Sequence, residues 1–319
     1  MNSNIIYKSV FINPNIWLRR FIKYLVRIIP ARYLYSYAIK EKYDTEVAFL
    51  ENISTKVIAG STSKAKKIAW IHADIKNYPS TRKLFVTRKN LIKSYENMDK
   101  IICVSEHAKE VFTEYTSIKD KVVTIYNPIN QEEIMDKATA NVDNIFSDPC
   151  FTICSVGRLS IEKGYDRLLK VTKKLNEENN VNLFVIGEGE EREKLQDYIK
   201  ENRLEEKVKL LGFKKNPYSY MKQCDLFIST SLSEGFSLVL AEAIVLEIPI
   251  ISTNTAGASE LLQEGRYGLL VENTEEAIYD GIKKVIENVK EYKTLKEKVK
   301  ERKKFFKLEE VISKIEEIL

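Results

Sequence analysis

Between residues 151 and 271 the chain alternates short, almost wholly apolar runs with longer amphipathic stretches, and this alternation restricts the fold more than any other feature. The runs are FTICSVG (151–157), VNLFVIG (181–187), KVKLLG (207–212), DLFIST (225–230), IPIIST (248–253) and YGLLV (267–271). Helical stretches near 164–178, 190–201, 216–223 and 238–246 follow the first four. A strand that is apolar throughout must be covered on both faces, and a helix between successive strands makes them parallel. The expectation is a doubly wound α/β domain over 148–302, with any ligand outside the carboxyl ends of its strands.

The first half is less regular. Strand-like runs are EVAFL (46–50), KVIAG (56–60), KIAWIH (67–72), KIICVS (100–105) and KVVTIYN (121–127), with helical stretches at 81–97 and 106–115. Residues 130–148 are polar and poor in pattern and read as a linker. This makes 1–147 a second Rossmann-like domain. The tail from 274 is helical and rich in Lys and Glu, and its last part, 303–319, is expected to pack back on the first domain. A length of 319 residues accommodates two domains.

Charge is placed unevenly. The chain carries +5 overall, but residues 1–40 hold seven Lys/Arg and no acid, so that segment is +7 and the remainder −2. Near-balance elsewhere argues against nucleic acid as a partner. Within 16–29, IWLRRFIKYLVRII, the residues Arg19, Arg20, Lys23 and Arg27 fall on one arc of a helix, with Trp17, Leu18, Phe21, Leu25 and Ile28 opposite. Such a helix fits an anionic membrane surface; it also fits a helix that packs its apolar face on a sheet. No apolar stretch reaches the length of a bilayer span and no export signal is evident, so the expected location is cytoplasmic, peripheral on the inner face of the cell membrane. Cys103, Cys150, Cys154 and Cys224 form no C-x-x-C pair and read as reduced thiols.

Four features lie where a ligand belongs. GRLSIEKG (157–164) follows a strand: Gly157 permits a tight turn, and Arg158 and Lys163 stand at the mouth of the sheet as a candidate diphosphate clamp. An ordinary turn with exposed cations is the equal alternative. SEGFSLVLAEA (233–243) places Glu234 and Glu242 eight residues apart, with Gly235 before a helix whose first N–H groups are free for phosphate. One glutamate there suits a ribose and the other a hexose. VIGEGEEREKL (185–195) ends a strand in Gly187-x-Gly189, a weak signal alone. His72 closes the KIAWIH run; a lone strand-end histidine is more often a packing residue. His107 opens a helix and reads as structural. No two aspartates are spaced D-x-D, so no metal site and no cofactor are expected, and cations of the protein would neutralise a leaving diphosphate instead.

These segments, with LLGFKKNPYSYMKQCDLFISTSLSEGFSLVLAEA and PIISTNTAGASELLQEGRYGLLV, resemble the C-terminal half of retaining glycosyltransferases of family 4, which have the GT-B fold. In the first half, KYDTEVAFLE, KIAWIHAD, IICVSEHAKEVF and VVTIYNPI resemble the later part of that family's N-terminal domain. The resemblance implies two Rossmann-like doubly wound domains, the N-terminal one incomplete. Only 41 residues precede KYDTEVAFLE, and none read as the family's glycine-rich loop. It implies transfer of a hexose from a UDP-linked nucleotide sugar to a hydroxyl of a growing, lipid-linked bacterial polysaccharide, as in capsule synthesis. It assigns Arg158 and Lys163 to the donor diphosphate, Glu242 to the ribose and Glu234 to the transferred sugar. Gly157, Gly187 and the backbone of Gly235, Phe236 and Ser237 meet the donor, and His72 sits beside the reacting sugar. The alternative is a truncated, non-catalytic subunit that binds a nucleotide sugar or a partner; a nucleotide-sugar epimerase fits the second-half motifs less well.

Overall fold

The structure is a computed structural model that describes residues 24–76, 83–146 and 150–319. The chain divides into unit 1, Met1–Tyr126 with Ile315–Leu319, and unit 2, Asn127–Lys314.

Unit 2 is built on six parallel strands: β5 (Phe151–Val156), β6 (Val181–Ile186), β7 (Val208–Gly212), β8 (Leu226–Ser229), β9 (Ile250–Thr253) and β10 (Leu269–Val271). Their order across the sheet is β10-β9-β8-β5-β6-β7. The chain therefore winds outward from β5 to β7, returns to the far side of β5, and winds out again through β8. Side chains alternate across each strand. Ile153, Leu183, Leu226 and Ile228 join one core with helices α7 (Tyr165–Glu178) and α12 (Glu275–Glu287). Cys154, Phe184, Phe227 and Ile250 join a second core with α10 (Leu238–Val245), α11 (Ala256–Leu261) and α13 (Val289–Lys303). Every residue of β6 is buried, which is why the run reads as apolar apart from Asn182. Shorter helices α8 (Arg192–Glu201) and α9 (Tyr218–Met221) complete the crossovers.

The division between units falls at Tyr126/Asn127, where the sequence reading placed it after 147. Most of the segment read as a linker belongs to unit 2. Asn130 caps helix α6 (Gln131–Lys137) by accepting from Glu133 N, and Ile129 and Ile134 are buried in the second core. Three exposed acids and a lysine on so short a helix hide its apolar face from a pattern search. At the other end, α14 (Leu308–Glu316) closes the chain, and Thr45 Oγ1 donates to Leu319 O within unit 1.

Unit 1 carries four parallel strands in sequential order: β1 (Thr45–Ala48), β2 (Lys66–Ile71), β3 (Lys100–Cys103) and β4 (Val122–Thr124). The KVIAG run is not a strand. It lies in helix α3 (Ile53–Ala59), whose Ile58 and Ala59 pack on Ala69, Ile71 and Tyr95. A short apolar run has no period that separates a buried helix from a strand. Helix α4 spans Arg88–Glu96, later than the expected start at 81, because Thr87 caps it by accepting from Asn90 N. Helix α5 (Glu106–Thr116) begins where expected, capped by Ser105. Of the basic helix at 16–29, Trp17, Leu18, Arg19, Arg20, Phe21 and Lys23 lie outside the described residues. Helix α1 is described over 24–28, and α2 (Ala31–Ala38) follows Pro30. Among the described residues no helix is long and apolar enough to cross a membrane.

Candidate functional site

The order of the unit 2 sheet reverses between β5 and β8, which pair through Ile153–Leu226 and Cys154–Phe227. Such a reversal opens a crevice at the carboxyl ends of the strands. The loops after β5, β6 and β8 meet there and are tied to one another by hydrogen bonds. After β5 the chain turns through a short 3₁₀ segment, Ile161–Lys163, and reaches α7 through Gly164. Thr230 Oγ1 donates to Lys163 O at 2.9 Å, Leu232 N donates to Glu162 O at 2.8 Å, and Arg167 Nη2 donates to Thr230 O at 2.6 Å. These bonds set Lys163 opposite the loop after β8. There Lys163 Nζ donates to Glu234 Oε1 at 2.8 Å, with the lysine side chain 27% and the glutamate 15% exposed.

Backbone approaches backbone beside this pair. Gly187 has a φ of 149°, and a Cβ there would lie 1.9 Å from Gly157 O. Only glycine fits, so the ends of β5 and β6 meet main chain to main chain. The loop 233–237 is supported from below by α11: Gly257 N donates to Glu234 O at 2.9 Å, and a Cβ on Gly257 would lie 2.8 Å from the Gly235 carbonyl carbon. Ser237 then caps α10, accepting from Leu240 N, and Phe236 packs partly against the second core.

Glu242 lies one turn into α10 among the buried Leu240, Ala241, Ala243 and Ile244. Tyr218 Oη donates to its Oε1 at 2.9 Å. Burial raises the carboxyl above its usual range, while the tyrosine hydroxyl and the charge of Lys137 pull it back. Arg158 behaves differently from Lys163. It is 68% exposed and its Nη2 lies 3.5 Å from Glu162 Oε2, so the structure does not draw it to the Lys163–Glu234 pair.

A model of the glycosyl transferases group 1 matches residues 136–302, which span the whole of this crevice and more than half of the chain. The chain belongs to the group 1 glycosyl transferases. Within that family it is 38% identical over 215 residues to a Campylobacter jejuni relative, covering 66% of this chain and 57% of the relative. That relative is named N-acetylgalactosamine-N,N'-diacetylbacillosaminyl-diphospho-undecaprenol 4-alpha-N-acetylgalactosaminyltransferase. This chain is also 31% identical over 225 residues to an uncharacterized glycosyltransferase of Methanocaldococcus jannaschii, covering 70% of this chain and 59% of that one. Against these and a second M. jannaschii glycosyltransferase the chain spans 57%, 59% and 64% of the relatives' lengths. Among solved structures, Anabaena HepE in complex with UDP aligns with a TM-score of 0.69 at 19% identity, covering 82% of this chain and 76% of that one. Staphylococcus aureus TarM with UDP aligns with a TM-score of 0.71 at 19% identity, covering 89% and 58%. The fold of this group 1 glycosyl transferase is GT-B.

His72 is a residue of unit 1. It follows β2, and its main-chain N–H, with that of Ala73, donates to Glu51 Oε1. Its ring meets Phe49 edge-on at 4.9 Å, and its Nε2 is buried without a protein partner among the described residues. Burial lowers its pKa below the usual histidine value, opposed by the Glu51 charge and a hydrogen bond with the Phe49 main chain. His107 Nε2 lies 3.6 Å from Asp74 Oδ2. The four cysteines are free thiols.

Several residues that organise the crevice escaped the sequence reading: Thr230, Arg167, Gly257 and Tyr218. Helix α11 was also missed, although Thr255 stands three residues before Ala258, whose N–H it accepts, a capping arrangement readable from sequence. The Tyr218–Glu242 bond joins residues 24 apart on different helices and has no local signature.

Proposed function

We propose that this group 1 glycosyl transferase belongs to family 4 and transfers a hexose, with retention at the anomeric carbon, from a UDP-linked sugar to a hydroxyl of a saccharide acceptor. The observation that carries this reading is the Lys163–Glu234 contact at 2.8 Å beside the Gly157–Gly187 backbone. In a nucleotide sugar the anomeric carbon is bonded directly to the diphosphate. A site for it needs a cation and a hydroxyl acceptor as immediate neighbours, and this pair supplies both. Lys163 and Arg158 meet the diphosphate, aided by the free N–H groups of α10 after Gly235, Phe236 and Ser237. Glu234 accepts from the sugar hydroxyls and Glu242 from the ribose. As the bond from the anomeric carbon to the diphosphate breaks and the acceptor oxygen bonds on the same face, the acceptor's hydroxyl proton passes to the departing diphosphate oxygen, on which negative charge grows. Fixed cations and a helix N-terminus stabilise that charge without reorganisation.

Metal independence is part of the proposal, because the cations come from the chain. His72 is assigned to the reacting sugar by the family 4 resemblance. The acceptor is proposed to be lipid-linked, in keeping with the undecaprenol acceptor in the name of the C. jejuni relative and the O-antigen and amylovoran syntheses in the names of others. The basic segment 1–40 would then meet an anionic membrane from the cytoplasmic side. The deciding experiment is a screen of UDP- and GDP-sugars for binding and slow hydrolysis without added metal. Binding of a UDP-sugar with release of UDP supports the proposal; binding of GDP-sugars only, or of neither, overturns the UDP assignment.

A further inference from the structure

Glu242 stands among the buried residues of α10 and is met from two other helices. From α9 comes the Tyr218 hydroxyl, 2.9 Å from Oε1. From α6 comes Lys137, whose charge acts on the Glu242 carboxyl and whose Nζ also contacts Glu133. The two helices are locked together: Asn216 Nδ2 donates to Lys137 O at 2.7 Å, and Asn216 Oδ1 accepts from Tyr218 N at 3.2 Å. Tyr218 therefore reaches Glu242 from a fixed backbone. Its bond engages one carboxylate oxygen, Oε1, which keeps lone-pair capacity beside that of Oε2.

We propose that Tyr218 is a positioning residue for nucleotide recognition: it orients Glu242 and, with Lys137, keeps it ionised so that both ribose hydroxyls find an acceptor. This rests on the reading that Glu242 takes the donor ribose. A protonated carboxyl would offer one acceptor and a competing donor, whereas a carboxylate accepts from a vicinal diol with either oxygen. Burial works against ionisation here, and the Tyr218 hydroxyl is the nearest group that opposes burial. A hydroxyl bonded to Oε1 also restrains the side-chain torsions of Glu242.

The test uses the full chain and two probes, UDP and 2′,3′-dideoxy-UDP, titrated against wild type, Tyr218→Phe, Glu242→Gln, the double variant and Lys137→Gln. Tyr218→Phe keeps the ring and is expected to weaken UDP about ten-fold, the scale of one hydrogen bond to a charged group. It is expected to leave dideoxy-UDP unchanged and to add nothing once Glu242 is Gln. The acid limb of UDP affinity is expected to move to higher pH in Tyr218→Phe and in Lys137→Gln, because the carboxylate loses a group that favours its charge. A role confined to packing moves no such limb. Equal weakening of both probes, or additive losses in the double variant, overturns the inference. If Glu242→Gln weakens UDP while Tyr218→Phe does not, the positioning role falls and the ribose assignment stands. If Glu242→Gln leaves UDP unaffected, or wild type does not bind UDP, the donor reading itself falls, and the inference with it.

Discussion

Replacing Glu234 by Gln is expected to tighten UDP binding while weakening a UDP-sugar relative to UDP. Lys163 Nζ donates to Glu234 Oε1 at 2.8 Å, with both side chains mostly buried. A diphosphate that takes this lysine competes with the carboxylate for the same donor and meets its negative charge. With charge centres about 4 Å apart and an effective dielectric of about 20, the gross attraction within the pair is about 4 kcal/mol. Desolvation and side-chain ordering cancel much of it, and a hydrogen bond to a charged group retains about 1.5–3 kcal/mol. The glutamine amide still accepts from the lysine, so the substitution releases only the difference between a charged and a neutral acceptor, about 1 kcal/mol.

That difference corresponds to about five-fold tighter UDP. The UDP-sugar loses a charged acceptor for its hydroxyls, and its affinity relative to UDP is expected to drop about ten-fold. Calorimetric titration of wild type and Glu234→Gln with both ligands reads the two changes separately. Weaker UDP binding by a variant that unfolds at the wild-type temperature refutes the competition. Equal changes for UDP and UDP-sugar refute the assignment of Glu234 to the sugar.

Lys163→Ala and Arg158→Ala are each expected to lower kcat/KM by about 10²-fold, the scale of losing one group that stabilises leaving-group charge; turnover that survives the double substitution defeats the clamp. EDTA is expected to leave UDP binding unchanged, and strict dependence on added manganese or magnesium in the same titration would show that the chain's own cations do not suffice. Because burial holds Glu242 above the ordinary carboxyl value of 4.5, its contribution to stability is full below that value and is lost as pH rises through the folded-state pKa; urea unfolding between about pH 4 and 7 should show this slope in wild type and not in Glu242→Gln. Sedimentation with vesicles is expected to require anionic lipid, weaken with salt, and fall when Arg19, Arg20, Lys23 and Arg27 become Gln; sedimentation with neutral lipid alone would point to apolar contact only.

Unit 2 was legible because its sheet is buried on both faces. Runs such as VNLFVIG have no polar face to confuse, and Asn182 is the one interruption inside β6. Unit 1 offered less. The KVIAG run is apolar because α3 lies on the sheet, and seven residues make fewer than two full turns, too few to show a 3.6-residue period. Helix α6 looked like a linker because its anchor is a buried Ile134 amid Gln131, Glu132, Glu133, Asp136 and Lys137, and only contact with the second core reveals its allegiance. The site divided in the same way. Motif spacing pointed to Lys163 and Glu234, which lie in loops that follow strands, and to Glu242, one turn inside α10. It treated Arg158 and Lys163 as equivalent, although the 3₁₀ turn carries Lys163 into the crevice and leaves Arg158 in solvent.

What no motif conveyed is that each charged group of the crevice already has a partner. Lys163 holds Glu234, Arg158 stands near Glu162, and Glu242 accepts from Tyr218. The reason is physical: Glu234 and Glu242 stand against low-dielectric surroundings, where an unpaired charge is costly. A ligand entering such a site exchanges partners instead of filling vacancies, so its net affinity is a difference between two sets of bonds. Removing one member of a pair then has two effects of opposite sign. It deletes a contact to the ligand, and it frees or strands the group that the contact had to be taken from. Single substitutions will therefore understate or even invert the direct contributions, as the Glu234→Gln case does for UDP. Double substitutions within a pair, Lys163 with Glu234 and Tyr218 with Glu242, will be non-additive, while combinations across pairs, Lys163 with Tyr218, will add to the extent that the pairs are independent.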